Sequence, residues 1–150
     1  MLGFLMQAND MTDITAEQFT RGMSVVGAGT TAELKAALPS VRARVMDDAD
    51  AFSAFFKFAF VANKADGMRV LDAEVATALI RLLLVPRWPL GERFAAFLES
   101  SGVKNVTKDT WNQTLAFSKA FPTSVDSYED DGAWPVMVDD FVEHMKKASA

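Results

Sequence analysis

The chain has 150 residues, half of them hydrophobic, with 12 Phe, 8 Met, a formal net charge of −5 and no Cys. That length and apolar content suffice for one domain with a sizeable core. The missing cysteine excludes disulfides, a thioester-forming nucleophile and a cysteine-based zinc site, and the single His144 cannot build a histidine metal cluster. No apolar run approaches the roughly 20 residues of a membrane span. The start MLGFLMQAND is apolar but lacks a basic flank and a cleavage site, so it does not read as a signal peptide. A soluble intracellular protein is expected.

In chain order, the punctuation marks a series of helices. Thr15 with Gln18 forms a capping box opening a helix through Phe19, Met23 and Val26, which Gly27 and Gly29 end. Thr30 with Glu33 opens a second, which Pro39 should stop, and Ser40 should cap a third over Val41 to Met46. Asp50 begins the most apolar segment, AFSAFFKFAFVA, which reads as a central helix. Asp72 caps the next, with Val75, Ala76, Leu79, Leu82 and Leu83 on one face. Trp88-Pro89 should open another, with Phe94, Phe97 and Leu98 inward and Gly102 closing it. Thr107 caps a helix carrying Trp111, Leu115 and Ser118. Pro135 opens the last, where Val138, Phe141, Val142 and Met145 fall at i, i+3, i+4 and i+7. No segment alternates as a strand. The pattern predicts an all-α fold, a compact bundle of about eight helices in a single domain over residues 1–150.

Two stretches have the rhythm of calcium loops without the ligands. QANDMTDITAEQF would use Gln7, Asn9, Met11 and Gln18, with Thr12 where the turn needs Gly. Met11 offers no hard oxygen and the final bidentate Glu is missing. NKADGMRVLDAE has Val70 and Glu74 in register, but its other slots fall on Asn63, Ala65 and Gly67. Both read as degenerate EF-hand-like helix-loop-helix units that bind no ion, so no metal or other cofactor is expected.

The charge is unevenly distributed. Residues 120–143 hold seven acids and no Lys or Arg, leaving the rest of the chain at +2. The acids crowd around a Gly-Ala-Trp-Pro corner in SYEDDGAWPVMVDDF. Such a surface attracts a basic partner and repels nucleic acid. Asp109 and Asp139 could be imagined as a catalytic pair, but carboxylates at helix starts complement the helix dipole, and no nucleophile or phosphate-binding glycine loop accompanies them. Trp134 reads equally as core or as an interface anchor.

KDTWNQTLAFS followed by SYEDDGAWPVMVDDFVEHM resembles the potentiating-neddylation domain of the defective-in-cullin-neddylation family, and ITAEQFTRGM, ELKAALP, FSAFFKFAF and LDAEVA agree with it. The resemblance runs from about Leu5 to Lys147. It implies a monomeric, non-enzymatic co-ligase of the nucleus and cytoplasm. Such a protein holds a cullin C-terminal winged-helix region and the neddylation conjugating enzyme, with no nucleic-acid or membrane partner. The family's Asp-Ala-Asp cullin-binding patch matches Asp109, Ala133 and Asp139, with Trp134 beneath the loop. Its pocket for the acetylated N-terminal Met of the conjugating enzyme maps onto Met11, Thr12, Ile14, Ala62, Leu79 and Leu82. Ala62 stands where relatives carry a Phe, which widens the pocket. The family's first helix, one pocket wall, has no counterpart ahead of MLGFLMQA, so a shortened chain and an incomplete pocket both remain open. The other reading of the residues is a calcium-independent EF-hand-like module that binds a different basic or amphipathic peptide.

Overall fold

The computed structural model describes residues 1–8 and 13–149. Among these the fold is all-α, with eight α-helices and one two-stranded sheet. No described helix is long and apolar enough to cross a membrane. The chain divides into two compact units, Met1–Asn63 and Lys64–Ala150.

The first unit holds α1 (Leu2–Leu5), α2 (Ala16–Val26), α3 (Thr31–Asp47) and α4 (Ala49–Asn63). Thr15 caps α2 through the expected reciprocal box with Gln18, and Gly27 ends it at a φ of +73°, where a side chain would be strained. Thr30 and Glu33 form the second box and open α3. Pro39 does not stop this helix. α3 runs through it to Asp47, so the two short helices expected on either side are one. Leu34, Val41 and Val45 are all buried on one face, and packing of that stripe offsets the roughly 3 kcal/mol or more that an interior proline costs. Ser40 accordingly caps nothing; its hydroxyl donates to the Ala37 carbonyl. The count of eight still holds because α1 forms in a segment with no helix signal of its own. α4 begins beside Asp50, as the sequence suggests. Asp48, the one residue between α3 and α4, accepts from the Ala51 N–H at 2.7 Å, and Asp50 lies in the first turn. Phe52, Phe56, Ala59 and Phe60 of α4 are buried, and Phe4 of α1 packs its ring against Phe55 and Phe58 at 5.4 and 5.6 Å.

The second unit holds β1 (Val70–Asp72), α5 (Ala73–Leu83), α6 (Gly91–Ser100), β2 (Asn105–Thr107), α7 (Lys108–Ala120) and α8 (Val136–Ser149). The two strands pair antiparallel with Leu71 opposite Val106, a ladder that the sequence pattern did not reveal. Each strand has three residues, too few for alternation to be read. Asp72 and Thr107 each end a strand and cap the following helix, accepting from the N–H of Glu74 and Thr110. The face of α5 is rotated from the expected one. Ala73, Ala76, Thr77, Ile80 and Leu83 are buried, while Val75 and Leu82 face solvent. Arg81 ties α5 to α6, bonding both Glu99 oxygens at 2.6 and 2.9 Å and Glu92 at 3.0 Å. These bonds hold the Glu99 carboxyl below its ordinary value.

Trp88-Pro89 does not open α6; Leu90 precedes its first turn. Trp88 is instead buried and donates its indole N–H to the Phe121 carbonyl at 3.0 Å, a tertiary bond that holds the tryptophan outside the helix. The core centres on Phe141, whose ring meets Phe94 at 4.9 Å, Phe97 at 5.7 Å, Phe117 at 6.2 Å and Trp88 at 6.3 Å. Val138, Phe141, Val142 and Met145 are all buried, as their spacing predicts. Trp111 is fully buried.

Candidate functional site

The acidic corner is built between α7 and α8. Thr107 caps α7 and sets Asp109 in its first turn, solvent-exposed. Gly132 turns the loop at a φ of +74°, a conformation that glycine adopts without a Cβ penalty. Asp131 then accepts from the Ala133 N–H at 3.0 Å, which fixes Ala133 with its methyl exposed. Trp134 is half-buried, with its ring edge-on to Phe117 at 5.4 Å and Phe121 at 6.2 Å. The tryptophan therefore packs on α7 and supports the loop from the protein side, as the core reading of its sequence context has it.

The Pro135 carbonyl accepts from the Val138 and Asp139 N–H groups, which starts α8 and puts Asp139 in its first turn. Asp139 is half-buried and accepts a hydrogen bond from the Tyr128 hydroxyl. Sequence reasoning passed over Tyr128. Its signal was there: a lone aromatic residue closing the polar run PTSVDSY, and the only tyrosine in the chain. It is buried, and its ring packs against Phe121 and Phe117 at 5.5 and 6.0 Å. His144, exposed on α8, sets its ring 5.5 Å from that of Phe97, tilted by 48°.

The second residue set is placed differently. Met11 and Thr12 lie outside the described residues. Ile14 and Ala62 belong to the first unit, Leu79 and Leu82 to the second. Ile14 is 42% and Leu82 62% exposed, so both leave apolar surface in solvent; Ala62 and Leu79 are half-buried.

Among the described residues no group of three or more His, Asp or Glu is placed to hold a metal ion. In the second calcium-like loop, the Asn63 amide donates to the Ala59 carbonyl. In the first, Asn9, Met11 and Thr12 lie outside the described residues. We therefore expect calorimetry with millimolar calcium to give no saturable heat, because too few oxygen ligands remain in either loop. A stoichiometric isotherm would overturn this.

Residues 33–144 match the model of a family described as cullin binding. The chain belongs to that cullin-binding family. It is similar to DCN1-like protein 4 of Danio rerio and of Homo sapiens, 34% identical to each over 146 residues, which is 97% of this chain and 52% and 50% of those proteins. It is similar also to DCN1-like protein 5 of Rattus norvegicus, at 32% identity over 97% of this chain and 61% of that protein. The chain thus spans from half to about three-fifths of the length of these relatives. The matched segment contains Asp109, Ala133 and Asp139.

Proposed function

We propose that this chain is a non-catalytic co-ligase for cullin neddylation, which holds a cullin C-terminal winged-helix region on the surface of Asp109, Ala133 and Asp139. The family match across all three residues carries this reading. The surface chemistry supports it: carboxylates in the first turns of α7 and α8 and, between them in the loop, a small exposed alanine that lets a basic partner approach closely. A chain without cysteine carries no thioester. Its contribution is to orient a charged conjugating enzyme and raise its effective concentration at the acceptor lysine. The test is a pull-down with a cullin C-terminal domain, alongside a neddylation time course with and without this protein. No capture and no stimulation would overturn the proposal. The same reading expects the protein in the nucleus and cytoplasm, as a monomer.

The conjugating enzyme would present its acetylated N-terminal methionine to Met11, Thr12, Ile14, Ala62, Leu79 and Leu82. A free amine is charged at neutral pH and acetylation removes that charge. Burying an unpaired ammonium costs several kcal/mol in real proteins, whereas complete burial of a methionine side chain contributes about 1.5–3 kcal/mol. The acetylated peptide is therefore expected to bind at least about tenfold tighter than the free-amine peptide, which needs only about 1.4 kcal/mol. Leu82→Asp should remove the preference. Equal affinity of both peptides for the wild-type protein would reject the pocket.

A further inference from the structure

We infer that Tyr128 is a positioning residue for the cullin-binding surface: its hydroxyl holds the Asp139 carboxylate in one orientation and presents the second oxygen to a cationic side chain of the partner. The inference rests on the reading of Asp139 as a cullin contact.

Tyr128 is held from three directions. Its N–H donates to the Val125 carbonyl at 3.0 Å. Its ring packs on Phe117 and Phe121. Lys146 of α8 donates to its carbonyl at 3.4 Å and sits 5.9 Å from the ring centroid, within cation–π range. From this anchored position the hydroxyl reaches Asp139 Oδ1, while Oδ2 accepts no hydrogen bond among the described residues. An aspartate at the start of a helix is otherwise free to turn about its side-chain bonds, and ordering it on binding costs affinity. A donor buried beneath it removes that cost in advance. The arrangement also has a defined polarity. The phenol can donate only while protonated, and burial raises its pKa above the ordinary 10.0, with the Asp139 hydrogen bond and the charges of Asp139, Asp130 and Asp131 adding to the rise. The phenol is therefore protonated and able to donate near neutral pH.

The test is calorimetric titration of a cullin C-terminal domain into wild type, Tyr128→Phe, Asp139→Asn and the double variant. Tyr128→Phe keeps the buried ring and removes only the donor. It is expected to weaken binding about tenfold, equivalent to about 1.4 kcal/mol, and to add nothing in the Asp139→Asn background. Equal weakening in both backgrounds would mean that Tyr128 acts only by supporting the loop, and the inference fails. Wild-type affinity of Tyr128→Phe beside a weakened Asp139→Asn would overturn the inference and leave the cullin surface standing. Wild-type affinity of Asp139→Asn would overturn the surface assignment, and the inference with it. An alkaline absorbance titration gives an independent readout, since Tyr128 is the only tyrosine. Tyrosinate should appear above the ordinary phenol range in wild type and at lower pH in Asp139→Asn, with burial keeping part of the rise. An identical titration curve in the two proteins would show that the bond does not form, which overturns the inference.

Discussion

Phe141→Ala is expected to destabilise the second unit by about 3–5 kcal/mol, the range for deleting a fully buried phenylalanine. The ring is completely shielded from solvent and touches four other aromatic rings, from α6, α7 and the turn before α6. Rigid rings on all sides cannot collapse into the vacated space, so the cavity cost adds to the lost transfer energy. Urea unfolding followed by tryptophan fluorescence reads this unit alone, since Trp88, Trp111 and Trp134 all lie in it. The control is Val136→Ala on the same helix. Val136 is 73% exposed, and its loss should stay within about 0.5 kcal/mol. A wild-type midpoint for Phe141→Ala would refute the packing described for α8.

Ala133→Arg, Asp109→Ala and Asp139→Ala are each expected to weaken cullin binding, Ala133→Arg most. Removing one partner of a buried interfacial charge pair costs about 2–5 kcal/mol, and less at a rim. The exposed Asp109 belongs nearer the lower figure and the half-buried Asp139 nearer the upper. Ala133→Arg acts twice, by placing a long side chain where close approach is needed and by adding a positive charge to a surface that faces a basic partner. The fold should survive. Ala133 is exposed, and the helix-start charge lost with Asp109 is worth only about 0.3–1 kcal/mol. Binding should also weaken as salt rises, because the exposed charges are screened beyond about 10 Å at 0.1 M. The measurement is neddylation rate and cullin affinity for the three single variants and the triple. Wild-type stimulation by the triple variant would sink the assignment of this surface.

The sequence by itself determined what is settled within one helical turn. The boxes at Thr15 and Thr30, the caps Asp72 and Thr107 and the glycine stop at Gly27 are bonds between residues two to five apart, so residue type and spacing suffice. The apolar stripe of α8 is legible for the same reason, as its period of 3.6 residues is a property of the helix alone. The acids at Asp109 and Asp139 and their family context were legible too, because charge and motif need no coordinates.

What only the tertiary structure decided depends on residues far apart in the chain. α3 continues through Pro39 because its buried face outweighs a local penalty. Trp88 stays outside α6 through a bond to Phe121, 33 residues away. Three residues of strand cannot announce themselves until Leu71 meets Val106. α5 turns Leu82 outward because the ladder and α6 choose which of two apolar faces to bury. Tyr128 escaped notice for the same reason. Its role depends on a hydrogen bond to Asp139, 11 residues on, and on a cage of aromatic rings and Lys146 that no local pattern encodes.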